Sequence, residues 1–198
     1  MNNAKKGLCV WFVGLPGSGK SSISREVYKR LCDMGIDVAY LEMDRLRKKY
    51  FPEPKYTKEE REKAYDMFVE DAYKEFLNGR FVIMDGTAYK VDMRKKARDK
   101  MGDRFAEIYV KCSIETAIQR ESNREGGLVI ANLYKKALDR KKTGRQYPEL
   151  GEVIGVDVEF EEDKECEFVI ENDNFTLNEA VDKAMNFILQ WMKIKKIC

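Results

Sequence analysis

The 198-residue chain contains no histidine. Imidazole is therefore excluded as general base, phosphate acceptor or metal ligand, and proton transfer falls to carboxylates. Cysteine is scattered, with five residues at 9, 32, 112, 166 and 198, no C-x-x-C spacing and no histidine to complete a zinc site. Cys9, Cys112 and Cys166 fall in or beside expected strands, where a reduced thiol acts as a small apolar residue, and a structural role is expected for all five. Long apolar runs are missing too. The longest uncharged stretch, Gly7 to Gly19, is too short to span a bilayer, and Met1 to Lys6 lacks the apolar core and cleavage site of a signal peptide. Neither sign of charge dominates: 37 Lys and Arg stand against 35 Asp and Glu. That balance speaks against a broad nucleic-acid or membrane surface, so any attraction for phosphate must be local. A cytoplasmic protein with one domain over residues 1–198 is expected, long enough to bury about 70% of its unfolded surface.

What is present centres on residues 8–25. The apolar run Leu8-Cys9-Val10-Trp11-Phe12-Val13 has strand length. It leads into Gly14-Leu15-Pro16-Gly17-Ser18-Gly19-Lys20-Ser21-Ser22, a complete G-x-x-x-x-G-K-[ST], and helical spacing resumes at Ile23. This is a P-loop in its proper strand–loop–helix setting. Its glycines let the backbone fold into a nest of N–H groups aimed at phosphate oxygens, reinforced by the helix N-terminus. Lys20 is expected to reach the β and γ phosphates of ATP and the Ser21 hydroxyl to hold Mg²⁺.

Further along, the P-loop helix runs to about Met34 and Ile36 to Glu42 reads as a second strand, so Asp44 lies just beyond its C-terminal end, the edge on which the P-loop also opens. Asp44 reads as a catalytic carboxylate or as a helix N-cap, and the absence of histidine favours the first. Lys58 to Asn78 is helical, opened by a Thr57/Glu60 capping box. Phe81 to Asp85 is a third strand ending in an acid; Asp85 either holds Mg²⁺ through water or stabilises the Asp-Gly turn. A helix over Arg94 to Met101, a strand over Phe105 to Val110 and a helix beginning at Ile114 follow. Residues 121–165 are charged, glycine-punctuated and weakly periodic, with Leu133 to Leu138 the one clear helical piece; few apolar anchors suggest a mobile lid. A fifth strand over Phe168 to Ile170 and an amphipathic helix from Leu177 to about Lys193 complete an α/β fold, a five-stranded parallel sheet with helices on both faces.

Among P-loop chemistries, a GTPase needs a guanine-selective N-K-x-D, which is absent, and a motor or transport ATPase usually has Glu where Gly86 follows Asp85. A small P-loop kinase remains, moving the γ-phosphoryl to a second substrate under a lid that keeps water from competing as acceptor.

The order of motifs resembles the adenylylsulfate (APS) kinases. Gly14 to Ser21 is similar to that family's G-L-x-G-x-G-K-[ST], including Leu15. Leu41-Glu42-Met43-Asp44-Arg45-Leu46-Arg47 keeps the second acid and the arginine of L-D-G-D-N-[IV]-R, and Tyr56-Thr57-Lys58-Glu59-Glu60-Arg61 echoes F-S-x-x-D-R. Asn132-Leu133-Tyr134-Lys135-Lys136-Ala137 looks like G-L-Y-K-K-A, and Val153 to Glu161 is faintly similar to F-T-G-I-D-x-P-Y-E. The resemblance implies that Asp44 orients or deprotonates the 3′-OH of APS, giving PAPS, that Arg47 and Arg61 pair with its phosphosulfate, that Lys135 reaches it from the lid and that Tyr56 and Tyr89 line its base. Thr87 and Lys90 occupy the serine and arginine positions of the family's I-S-P-[YF]-R and join the candidate substrate set, while Ser22 and Arg120 join the nucleotide set. A homodimer is the assembly implied. Three departures leave the acceptor open: Ala64 stands at the family asparagine, Ala88 at the proline, and 122–131 and 138–152 look like insertions. A different nucleotide-linked metabolite and an RNA- or tRNA-borne hydroxyl are alternative acceptors; a non-catalytic ATP-binding sensor is the alternative of another class.

Overall fold

The computed structural model describes residues 7–123 and 132–195. Met1 to Lys6, Cys198 and most of the expected insertion 122–131 lie outside the described residues. Five strands, β1 (Leu8–Val13), β2 (Val38–Glu42), β3 (Phe81–Asp85), β4 (Phe105–Lys111) and β5 (Phe168–Glu171), form one parallel sheet in the order β2-β3-β1-β4-β5. Between them run α1 (Lys20–Asp33), α2 (Met43–Tyr50), α3 (Lys58–Leu77), α4 (Val91–Met101), α5 (Ile114–Ser122) and α6 (Leu133–Thr143), and α7 (Leu177–Ile194) follows the last strand.

The central strand explains the layering. Every residue of β1 is buried, as a strand covered on both faces requires. Its alternation divides the core: Leu8, Val10 and Phe12 pack with Ile23, Val27 and Leu31 of α1 and Ala184 and Ile188 of α7. Cys9, Trp11 and Val13 face the other way, onto Phe68, Ala72 and Phe76 of α3 and Met93 and Ala97 of α4. Trp11 has its ring centroid 5.6 Å from that of Phe68 and 5.9 Å from that of Tyr65, and its indole N–H donates to the Gly86 carbonyl at 3.2 Å. The largest side chain of the strand therefore packs this core and also holds the turn that leaves β3. The four described cysteines are free thiols, and burial pushes the Cys9 thiol far above its ordinary range.

Three local expectations are corrected. Asp44 does not cap a helix: α2 begins at Met43, with Glu42 at the capping position, and Asp44 sits in the first turn. The Thr57/Glu60 box forms on one side only. The Thr57 hydroxyl accepts from Glu60 N, but the Glu60 carboxylate accepts from Lys55 N and Tyr56 N instead. The full reciprocal box stands at Thr176 and Glu179, at the start of α7. The third correction concerns anchoring. Within 133–153, Tyr134, Ala137, Leu150 and Val153 are buried against Leu15, Cys112 and Ala117. Apolar residues are sparse here in sequence, yet they converge on one spot beside the P-loop, and the Tyr134 hydroxyl donates to the Pro16 carbonyl at 2.8 Å.

Candidate active site

The carboxyl ends of β1, β2 and β3 meet in register, with Phe12 opposite Asp85 and Asp85 opposite Glu42. Immediately beyond β1 the chain turns through Gly14, Gly17 and Gly19 at φ of 143°, 83° and 95°, conformations that side chains rarely tolerate. Close approach adds to this: a Cβ on Gly17 would lie 2.3 Å from the Ala117 carbonyl oxygen. No side chain caps α1 at Gly19, so the N–H groups of its first turn are available to an anion. Lys20 Nζ lies 3.4 Å from the Leu15 carbonyl, folded over the loop. The loop is braced from outside by two residues. Asn172, just past β5, donates to the Ser18 carbonyl at 2.7 Å, and Arg120 of α5 reaches the same carbonyl at 3.4 Å and that of Asp173 at 3.3 Å.

Asp85 ends β3 at 2% exposure. One carboxylate oxygen accepts from the Ser21 hydroxyl at 3.1 Å and the other from the Tyr40 phenol at 2.9 Å, with Ser24 Oγ 3.0 Å behind Tyr40. Burial pushes the Asp85 carboxyl above its ordinary range; the Lys20 charge and the hydrogen bonds from Ser21 and Tyr40 pull it back, and Asp44 raises it further. Burial, with Asp85 alongside, drives the Tyr40 phenol far upward, so that it stays protonated and donates. Ser21 and Asp85 are hard oxygen donors next to a phosphate cradle, which fits Mg²⁺ held by one hydroxyl, water and phosphate rather than by an all-protein cage. Among the described residues no cluster of three or more His, Cys, Asp or Glu forms such a cage.

The same pocket is lined by Asp44, Arg47, Tyr56, Arg61, Thr87 and Tyr89. Arg47 and Arg61 are 5% and 6% exposed, unusual for cations. Arg47 lies 3.5 Å from Glu60 and stacks over the Tyr56 ring, 5.2 Å from its centroid. Arg61 donates to the Glu152 carbonyl and lies 6.0 Å from the Tyr89 ring centroid. Each Nη1 is held only by a loose ion pair, Arg47 with the Glu60 carboxylate at 3.5 Å and Arg61 with the Glu152 carboxylate at 3.9 Å, and makes no hydrogen bond among the described residues. Two buried guanidinium groups held this loosely can give an anion in the pocket a closer, charge-assisted contact. Gly151 to Ile154 roof the pocket, and a Cβ on Gly151 would sit 2.8 Å from the Tyr56 Cβ, so only glycine passes there. Tyr56 itself holds a left-handed φ of 55°.

Two expected substrate contacts lie elsewhere. Lys90 does not line the pocket and pairs with Glu62 at 3.2 Å, and Lys135 is exposed on α6, away from the lining. Ala64, at the position of the family asparagine, is fully buried under the sheet with no reach into the pocket. Tyr40, Asn172 and Glu42, which lines the pocket and pairs with Arg25, were not singled out from sequence. A signal existed: each lies in or just beyond a strand's carboxyl end, the edge where such sheets bind ligands.

The family model for adenylylsulphate kinase matches residues 6–171. The chain belongs to the adenylylsulphate kinase family. A protein of Archaeoglobus fulgidus named "Probable adenylyl-sulfate kinase" is 29% identical over 164 residues, 83% of this chain and 95% of that one. The adenylyl-sulfate kinase of Clostridium kluyveri is 29% identical over 184 residues, 93% of this chain and 84% of its own. The fold is similar to that of the APS kinase of Mycobacterium tuberculosis in complex with AMPPNP and APS, at a TM-score of 0.76 and 21% identity, covering 93% and 98% of the two chains. As an adenylylsulphate kinase family member the protein is an ATP-dependent kinase that works with Mg²⁺. No helix among the described residues is long and apolar enough to cross a membrane.

Proposed function

We propose that the enzyme transfers the γ-phosphoryl group of ATP to the 3′-hydroxyl of adenylylsulfate. The observation that carries this reading is that Asp44 shares one pocket with Lys20, Ser21 and Asp85 on one side and with the buried cations Arg47 and Arg61 on the other. The P-loop N–H groups and Lys20 hold the β and γ phosphates. Ser21 and, through water, Asp85 would hold Mg²⁺, which would neutralise charge on the phosphates. Asp44 accepts the hydrogen bond of the acceptor hydroxyl and takes its proton as the oxygen–phosphorus bond forms and the bond from phosphorus to the β–γ bridging oxygen breaks, releasing ADP. Arg47 and Arg61 receive the acceptor's anionic group in place of their loose pairs with Glu60 and Glu152, and the rings of Tyr56 and Tyr89 flank its base. The roof at Gly151 to Ile154 shields the pocket from water.

ADP release that requires both Mg²⁺ and adenylylsulfate tests this, with Asp44→Asn expected to bind ATP normally and to lose turnover. Phosphotransfer to another nucleotide conjugate but none to adenylylsulfate would replace the acceptor and keep the class. The alanine at position 64, where the family motif has asparagine, is the departure that favours this second reading. A homodimer in the cytoplasm completes the proposal; sedimentation of the purified protein tests its first half.

A further inference from the structure

Behind the pocket lies a buried ion pair that the proposed reaction does not use. Arg94 of α4 is 0% exposed and Glu107 of β4 is 1% exposed, with Arg94 Nε donating to Glu107 Oε2 at 3.0 Å. The Phe160 ring covers the guanidinium, its centroid 5.0 Å away. Such pairs are weak devices for stability, because apolar residues of similar volume do as well or better in the same space. What distinguishes this one is where its remaining donors go. Arg94 Nη1 donates to the Ala88 carbonyl at 2.5 Å and Nη2 to the Glu161 carbonyl at 2.5 Å.

Ala88 holds a left-handed φ of 38°, a strained state for a residue with a Cβ. It stands between Thr87 and Tyr89, both in the pocket wall. Its own N–H donates to the Tyr65 phenol oxygen at 2.8 Å, so the peptide units on both sides of the strained residue are held from behind. Glu161 closes the other end. Its N–H donates to the Tyr89 carbonyl at 2.8 Å, and its carboxylate accepts from Val91 N at 2.8 Å, at the start of α4. Three residues earlier in the same segment, Val158 bridges to Ile154 of the roof, and its carbonyl accepts from Gly155 N at 2.7 Å. One guanidinium therefore fastens the 86–89 turn to the segment that descends from the roof.

We propose that Arg94, oriented by Glu107, is a positioning residue for the acceptor: without touching it, Arg94 clamps the strained Ala88 turn to Glu161 and so holds Thr87 and Tyr89 where the acceptor binds. The claim about the acceptor rests on the reading of this pocket given above; the clamp itself does not.

Two variants and two readouts test it. Arg94→Lys keeps the charge and loses the fork. The double substitution Arg94→Met with Glu107→Leu replaces the pair by apolar volume. In the ligand-free protein, amide exchange at 86–91 and 159–162 is expected to quicken at least tenfold in both variants while that of β1 is unchanged. With adenylylsulfate and ATP, the acceptor KM is expected to rise at least tenfold and the ATP KM to stay within twofold. A purely structural pair would lower the melting temperature and leave that split unmoved, and a folded variant with unaltered exchange at 86–91 or an unaltered acceptor KM overturns the proposal. Should neither variant fold, Glu107→Gln, which keeps the volume and removes the charge that orients Arg94, is expected to raise the acceptor KM about threefold, and no change there overturns it equally. Wild-type enzyme inactive on adenylylsulfate would count against the acceptor alone, leaving the clamp to be judged by exchange.

Discussion

The two halves of the pocket are built in different ways. The donor half is one uninterrupted stretch, Gly14 to Ser21, in which main-chain N–H groups and a helix end form the site; Asp85 from the neighbouring strand is the one distant addition. The acceptor half draws Asp44 and Arg47 from α2, Arg61 from α3, Tyr56 from the loop between them, Thr87 and Tyr89 from the turn after β3, and its roof from 151–154. A site made of backbone tolerates little variation, since its glycines are required by φ and by contact. A site made of side chains on separate segments can change its ligand residue by residue while the sheet beneath it stays the same. Met43 and Ala88, where the family motifs have Gly and Pro, fall in or beside the acceptor half, and Ala64, where they have Asn, is buried in the core on α3.

The largest effect is expected from Asp44→Asn: kcat falls roughly 10²–10⁴-fold with ATP affinity unchanged, as loss of a general base implies. A matching loss of ATP binding by calorimetry would mean that the two halves are not separable. Arg61→Ala comes next. Loss of a charge-assisted contact of about 1.5–3 kcal/mol should raise the acceptor KM on the order of 10–100-fold with little change in the ATP KM. Tyr40→Phe tests the donor half more gently. Removing the phenol leaves one oxygen of buried Asp85 without its donor, at about 1–3 kcal/mol. The magnesium concentration needed for half-maximal binding of a non-hydrolysable ATP analogue should rise, while metal-free binding stays as it was.

The smallest effect concerns pH. Burial pushes the Glu107 carboxyl up to about 7, and Asp163 adds to the rise, while Arg94 and Arg98 of α4 oppose it. Glu167, whose carboxylate accepts from Glu107 N, and the Cys166 thiol face it from the segment before β5. A carboxyl raised on folding binds its proton more tightly in the native state than in the unfolded chain. Its contribution to stability is therefore complete below about 4.5, declines as pH rises and is gone above about 7. Denaturant unfolding across that window should show a downward slope that Glu107→Gln flattens; an unchanged slope would assign it to other groups.

Legibility follows the same division. The strands could be read because each is a short apolar run bounded by turn residues, and β3 and its terminal Asp85 fall where the run ends. The start of α2 could not, because nothing local distinguishes Met43 from a loop residue; its side chain is buried because Gly86, on another strand's end, leaves space against its Cβ. Glu60 is similar. By spacing it belongs to a reciprocal cap, but Lys55 N, Tyr56 N and the Arg47 guanidinium take its carboxylate, and those partners are brought to it by the turn before α3. Lys90 and Lys135 occupy motif positions, yet Glu62 claims the first and the exposed face of α6 the second.

By itself the sequence determined a parallel α/β sheet and a phosphate-binding loop on its carboxyl edge, because both rest on periodicity and on backbone angles set by neighbouring residues. Which acids, cations and rings share a pocket with that loop, that Arg47 and Arg61 are buried in loose ion pairs, and that Arg94 stands behind the turn carrying Thr87 and Tyr89 were settled by the packing of the whole chain. Those groups come from helices and turns far apart in the chain, and their convergence depends on how the helices pack on the sheet, which no local pattern encodes.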